Sequence, residues 1–566
     1  MSIAPAIMSF ATKPFVVVVN VIKSIVGYAR CQLDNAFQEI MGYIMRRCLR
    51  TAMIVFSWFV VPYSRFTNIK VNRKKLPPIK SHLLEIPAVD LAKMIRTRKI
   101  KSEEVVEAYI ERCKQVNPLI NAIVQDRFEE ALEEAREVDR VIAMGINSEE
   151  EMEENTPLLG IPVTVKESIA VKGMSNQTGR VFKTPQIAKA DAPVVEQVKR
   201  AGGIILLVSN TPELCLLWET YNNITGQTRN PYDLKRTPGG SSGGEAALLA
   251  SGASLLGLTS DIGGSSRLPA MFSGIWGHKP TPYAVSFKGH HPTSDFPKWG
   301  DFFTIAPMTR YAKDLPLLLR CMVDPNGTKL TLEKEISVTG IRFFFMDNDG
   351  PSGMMRPLSR DLHAAINRVA NDFKAKRVNI RKMKWSLDIS LSAMLTMKNI
   401  ETIYHKTEEG ERPKTICTET VKYFFGCSDS ILPSVIFGHL QNFMKIIPNS
   451  RHKHLATIIE ALKTEFKELL GNDGVFIYPT FPNTAHQHYQ IYHKLLEPMY
   501  MAIFNTLGLP VTNCMIGLDR RRLPMGIQVV ANPGQDHLCL AVAREMERRY
   551  GGWVRPPSED SSKRID

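Results

Sequence analysis

Apolar residues along this chain of 566 residues recur in two rhythms. From Val89 to Ile142 they return at helical spacing in VDLAKMIRTRKI, in EEVVEAYIERCKQV and in RFEEALEEAREVDRVI. Ser102 stands as N-cap of the second segment, acidic residues crowd its first turn, and Asn117-Pro118 ends it, so three scaffold helices are predicted. The acidic stretch from Asn147 to Asn155 reads as a surface loop. The rhythm then shortens. Ile161, Val163 and Val165 alternate between Gly160 and Lys166, predicting a short strand with one buried side and Lys166 at its end. DAPVVEQVKRAG follows as a helix closed by Gly202-Gly203, and IILLVSN as a buried strand. Beyond the middle of the chain, Gly340–Met346 reads as a strand and Arg360–Lys374 as an amphipathic helix, and apolar patches broken by Lys and Arg run through 376–415. Strands around 474–479, 508–512 and 523–530 and a helix over 536–549 close the chain. Such alternation points to α/β architecture.

One stretch breaks both rhythms. In Pro238–Thr281 the clusters Gly239-Gly240-Ser241-Ser242-Gly243-Gly244 and Gly263-Gly264-Ser265-Ser266 flank a run of small and apolar residues, Ala246 to Leu258. A flexible linker stays solvated, whereas Leu248, Leu249, Leu255, Leu256 and Leu258 demand burial. Both clusters are therefore pinned to the ends of packed elements. Glycines there allow close approach to the backbone, consecutive N–H groups form an anion-binding nest, and a serine inside one is a candidate nucleophile.

Charge and cysteine content narrow the partners. Residues 1–80 carry twelve Lys and Arg against Asp34 and Glu39, so ten of the net +14 charges sit in this arm. The arm also holds two apolar runs, Pro14–Ile22 and Thr51–Tyr63, the second with Trp58 and Tyr63 and with Arg46, Arg47, Arg50, Arg65, Lys70 and Arg73–Lys75 around it. At thirteen residues it falls short of the roughly 20 needed to span a bilayer. Attachment to a membrane is expected, with monotopic seating and a full span both open, and nucleic acid is not. The nine cysteines are odd in number and scattered, without metal spacing or a disulfide framework. No GxxxxGK[ST] motif supports phosphate binding. Gly240-Ser241-Ser242-Gly243-Gly244 also satisfies G-x-S-x-G, but Asp233–Pro238 before it is a polar loop rather than the strand a nucleophile elbow requires.

The series GGSSGGE, DIGGSxR and GxxGxKP resembles the amidase signature family of serine hydrolases, and within it the membrane-associated fatty-acid amide hydrolases, above all the second animal type. The likeness runs from about Ile86 to about Trp553. The expected fold is α/β: one large domain, 81–555, with a mixed central β-sheet covered by α-helices, between the apolar membrane-anchoring arm 1–80 and a polar tail 556–566. The resemblance implies a Ser-Ser-Lys triad. Ser265 is its nucleophile, Ser241 the bridging serine after a cis peptide bond, and Lys166, in GxPxxxKE, the base. Backbone N–H groups of Ile262, Gly263, Gly264 and Ser265 would form the oxyanion hole, with Ser242, Asp261 and Arg267 orienting the loops. Lysine serves as a base only when neutral, and burial lowers its pKa. No metal and no cofactor are required.

One departure bears on the acyl pocket. Ser266 stands where many members carry an aliphatic residue, whereas Cys215, where the family has a residue beside the catalytic serines, reads as a small buried hydrophobe. Ala306–Arg310 with Asp314 resembles a structural joint of the family. In Val421–Ile447 the residues Phe424, Phe425, Phe437, Phe443 and Met444, with Lys422 and Lys445, suit a membrane-facing cap of the kind those hydrolases carry. The expectation is an amidase acting on a lipid amide at a membrane surface, the endoplasmic reticulum or another internal membrane. The membrane side stays open, since the sequons at Asn176, Asn223 and Asn326 matter only in a luminal protein. A homodimer is compatible with the same reading. An amidotransferase-like subunit, another non-lipid amidase and a non-catalytic lipid-binding protein on the same fold are the alternatives.

Overall fold

Among the described residues, eleven strands join in one mixed sheet and two more form a small separate ribbon. In chain order they are β1 (Ile123–Asp126), β2 (Pro162–Lys166), β3 (Ile204–Ser209), the ribbon β4 (Tyr221–Asn222) and β5 (Gly226–Gln227), β6 (Leu256–Asp261), β7 (Trp276–Lys279), β8 (Thr304–Thr309), β9 (Arg342–Phe345), β10 (Lys376–Arg377), β11 (Gly474–Pro479), β12 (Val511–Leu518) and β13 (Pro524–Val530). The order across the sheet is β1-β3-β2-β6-β8-β7-β12-β13-β11-β9-β10. This is a computed structural model, and it describes residues 4–69, 71, 74–332, 336–350, 356–397, 399–404 and 414–559, with side chains from residue 34 onward except 35. The side chains of Pro14–Ile22, Lys70 and Arg73, part of the patchy stretch 376–415, and tail residues 560–566 lie outside this description.

Parallel pairing of β2 with both β3 and β6 decides where the chemistry sits. All five residues of β2, and all of β3 and β6, are buried. The alternation in Ile161–Val165 predicted one covered face, but a central parallel strand is covered by helices on both, so Thr164 and Lys166 are buried as well. Helices such as Gly243–Ala250, buried at every residue, supply that cover.

Expectations for two segments are corrected. The second helix spans Ser102–Ile120, with Lys101 at the N-cap position and Pro118 inside its last turn. Ser102 does not cap it: its hydroxyl donates to Gly160 O at 2.9 Å, and Asp139 instead accepts from the N–H groups of Ser102 and Glu103 at 2.7 and 3.0 Å. Residues Glu149–Asn155 form a helix, because Ser148 and Glu151 make a reciprocal capping box and Met152 is buried. The two apolar runs of the arm lie in one helix, Ala4–Ile69.

That helix is docked to the body by its second half. Arg46 and Arg451 both bond Asp388, at 2.8 and 2.7 Å, and both guanidinium groups lie over the Trp385 ring. Ser64 Oγ donates to His488 O at 2.6 Å, and Val60 packs in a cluster with Leu217, Ile491 and Tyr492. Among the described residues no helix is long and apolar enough to cross a membrane.

Candidate active site

Lys166 ends β2, and Ser260 and Asp261 end its parallel neighbour β6, so three polar side chains emerge together at one end of the sheet. Lys166 Nζ stands 2.7 Å from Ser241 Oγ and 2.9 Å from Ser260 Oγ. Burial drives its pKa below the ordinary lysine value, opposed by Cys215, Asp261 and Glu245 nearby. Desolvation wins, and the amine is shifted toward its neutral, basic form.

The first glycine cluster delivers Ser241 to the lysine. The Gly240–Ser241 peptide bond is cis, and a Cβ at Gly240 would lie 2.6 Å from Leu217 O and from Glu219 N, so only glycine fits. Thr211 Oγ1 donates to Ser241 O at 3.2 Å. Ser242 ties the two clusters together: its N–H donates to Ser265 O at 3.2 Å, and its hydroxyl to Ser260 O at 3.5 Å. Its role is to hold one loop against the other.

In the second cluster a carboxylate organises the turn. Asp261 accepts from the N–H of Gly264 at 2.8 Å and of Ser266 at 3.2 Å, from Arg267 Nε at 3.0 Å and from Asn505 Nδ2 at 3.0 Å. Burial alone would raise its pKa, but Arg267 and these donors bring it down to about 2. Arg267, fully buried, also donates to Met501 O and Gln528 Oε1. Asp261 and Arg267 thus shape the loop.

The Gly264 N–H is spent on Asp261, which corrects its expected place in the oxyanion hole. The N–H groups of Ile262, Gly263 and Ser265 carry no hydrogen bond among the described residues. Ser265 is buried except for a small opening, and among the described residues no hydrogen bond joins its hydroxyl to Ser241. Such contacts are often long without substrate and tighten in the complex.

Several neighbours were not foreseen. Ser260 and His290 lie behind Lys166; Ser260 was findable in principle, because the β2–β6 register puts Val165 beside Leu258. His290 was not, lying in a polar loop 124 residues away. Trp218 donates from Nε1 to Gly263 O at 2.9 Å, and a Cβ at Gly263 would lie 3.5 Å from both Trp218 and Met394, so these side chains wall the space beside the Ser265 loop. Cys215 is not the fully buried hydrophobe expected. It is half-buried, its thiol 3.4 Å from Thr211 Oγ1 and facing Lys166. Ser266, also buried, leaves its Oγ without a partner among the described residues.

The Amidase family profile matches residues 104–540, most of the chain, and the protein belongs to that family. It is an enzyme of the amide-hydrolase class. Among its relatives, fatty-acid amide hydrolase 2-A of Danio rerio is 39% identical over 533 residues, covering 92% of this chain and 98% of that one. Fatty-acid amide hydrolase 2 of Homo sapiens is 40% identical over 498 residues, covering 86% and 93%. A solved structure of fatty acid amide hydrolase superposes with a TM-score of 0.64 at 21% identity, covering 85% of this chain and 88% of that one, and shares the fold.

Proposed function

We propose that this protein is a membrane-surface serine amidase that hydrolyses fatty-acid amides, either primary amides or N-acylethanolamines, to fatty acid and ammonia or amine. The observation that carries the mechanism is the fully buried Lys166 amine 2.7 Å from Ser241 Oγ. A neutral Nζ takes the Ser241 proton as Ser241 takes that of Ser265, and Ser265 Oγ attacks the amide carbonyl. The N–H groups of Ile262, Gly263 and Ser265 bind the oxyanion, each such donor contributing about 3 to 4 kcal/mol in comparable sites. The proton returns through Ser241 to the leaving nitrogen, and the C–N bond breaks. Water, deprotonated along the same route, then cleaves the acyl ester and regenerates Ser265.

The lipid part of the reading rests on the relatives' names and on exposed apolar surface. The helices Ile416–Phe424 and Leu432–Met444 present Phe424, 85% exposed, with Phe425, Phe443 and Ile446. Met444, expected on this face, is buried, and Phe437 packs inward. The N-terminal helix adds Trp58 at 69%, with Phe59, Tyr63 and Phe66. Tyr63 packs edge-on against Tyr489 at 5.6 Å, and Val60 of the arm shares a packed cluster with Leu432 of the cap, so arm and cap adjoin. Together they form one apolar face suited to the surface of an internal membrane such as the endoplasmic reticulum.

The test is turnover of oleamide, an oleoyl ethanolamide and a non-lipid amide by detergent-solubilised protein, alongside labelling by a fluorophosphonate. The lipid amides should be cleaved preferentially, and Ser265→Ala should abolish both cleavage and labelling. A wild type that resists the reagent and spares both lipid amides would end the proposal.

A further inference from the structure

Directly behind Lys166 lie two side chains with no part in the relay above. His290, 3% exposed, has Nδ1 3.1 Å from Pro292 O, and its Nε2 is 3.0 Å from Ser260 Oγ and 3.0 Å from Ser168 Oγ. A carbonyl oxygen can only accept, so Nδ1 carries the ring proton and Nε2 is the acceptor. Nε2 can therefore only accept, and its single lone pair is shared by the protons of both hydroxyls in one bifurcated contact. With its proton committed, Ser260 Oγ presents lone pairs to Lys166 Nζ at 2.9 Å and accepts an N–H from it.

This polarity matters because a neutral amine has two hydrogens and a single lone pair. When one hydrogen is held by Ser260, the lone pair is left for Ser241. If Ser260 could turn, its own proton would occupy that lone pair and silence the base. We infer that His290 is a positioning residue of the general base: through Ser260 it sets the direction of every hydrogen bond from the Pro292 carbonyl to Ser241 Oγ. The inference rests on the Ser265–Ser241–Lys166 reading.

The surroundings hold the imidazole in this role. Ile169 forms a β-bridge with His290, Ala170 N–H donates to Gly289 O at 2.9 Å, and His291 N–H to Ser168 O at 2.8 Å, so the chain after Lys166 and the histidine segment are stitched together. The Phe303 ring covers the imidazole at 4.6 Å. The charged or titratable groups facing it are Lys166, His291 and Glu401, the last paired with Arg180 at 2.7 Å and His291 at 2.9 Å. Burial, the largest influence, keeps the ring neutral.

The test measures kcat, KM and the pH profile on a fatty amide for His290→Leu, His290→Gln, Ser260→Ala and the Ser260→Ala/His290→Leu double variant, with Ser265→Ala as the blank. Leucine removes the acceptor at similar volume. It should lower kcat about 10- to 100-fold with KM within about twofold. The acidic limb should move to lower pH, because a freed Ser260 that donates to Nζ favours the neutral amine. Glutamine can accept from Ser260 and donate to Pro292, and should restore kcat to within about threefold. The double variant should be no slower than Ser260→Ala, the sign of one shared pathway. Equal losses in the Leu and Gln variants, or multiplied losses in the double variant, would overturn the inference. So would a His290→Leu enzyme of wild-type kcat beside a dead Ser265→Ala. An active Ser265→Ala would instead overturn the reading beneath it. If His290→Leu melts far below wild type, Ser260→Ala decides, and wild-type kcat there sinks the inference.

Discussion

The end of the sheet at Lys166 and the face built by the N-terminal helix and the cap are opposite solutions to burial. At the first, lysine, carboxylate and serine side chains have been taken out of water, and Lys166, Ser241, Ser260, Asp261 and Arg267 are held by hydrogen bonds to one another. At the second, phenylalanine, tryptophan and tyrosine side chains stay exposed although the protein has a large core to receive them. Burying charge without compensation costs several kcal/mol, so the first region is held by a closed hydrogen-bond network that fixes reactivity. Leaving apolar surface in water is also unfavourable, and the second region makes sense as a surface completed by something apolar outside the chain. On the proposed reading, one region sets how an amide is broken, and the other which amides arrive.

The comparison can be broken from either side. The largest effect belongs to the base. Lys166→Met should reduce amide turnover by about three to four orders of magnitude while leaving thermal stability near wild type. In the wild type kcat should rise with pH along a limb whose midpoint lies below the ordinary lysine value of about 10.4, because burial lowers the Lys166 pKa. A limb at that ordinary value, or a Lys166→Met enzyme within tenfold of wild type, would remove lysine from the mechanism.

A middle effect concerns the network that shapes the loop. Asp261→Asn leaves Arg267 buried without its carboxylate, and should cost about 3 to 5 kcal/mol in urea unfolding. The sign with pH follows from the depressed pKa of about 2. The stabilisation by Asp261 is present above the ordinary carboxylate range and is lost as pH falls through about 2. A cost below about 1 kcal/mol would mean the loop is held by backbone packing instead.

The smallest effect lies on the apolar face. Phe424→Asp with Phe443→Asp should weaken binding to phosphatidylcholine vesicles about tenfold or more in a flotation assay, while kcat on a short water-soluble amide stays within about twofold. Unchanged flotation would separate this face from the membrane.

What could be read from sequence follows the range of the forces involved. The buried strands β3 and β11 declare themselves through continuous apolar runs, and Lys166, Ser241 and Ser265 through motifs of fixed spacing. Other features escaped because they depend on contacts distant in sequence. Asp139, on another helix, replaced Ser102 as a cap, and a helix over 149–155 was masked by its acidity although Ser148 and Glu151 spell a capping box. The Asp388 pairs that dock Arg46 span 342 residues, and His290 meets Ser260 only through the fold. Loss of Gly264 from the expected oxyanion hole has the same origin, because its N–H is claimed by a carboxylate three residues earlier whose direction Arg267 and Asn505 fix.

The most direct test is to see where the acyl group goes. Protein mixed with oleamide at low pH, quenched within a turnover and digested should yield one oleoylated peptide, with the modification on Ser265. An oleoyl group on Ser241 or on the Cys215 thiol beside Lys166, or steady turnover with no acyl-enzyme on any peptide, would contradict the assignment of Ser265 as nucleophile.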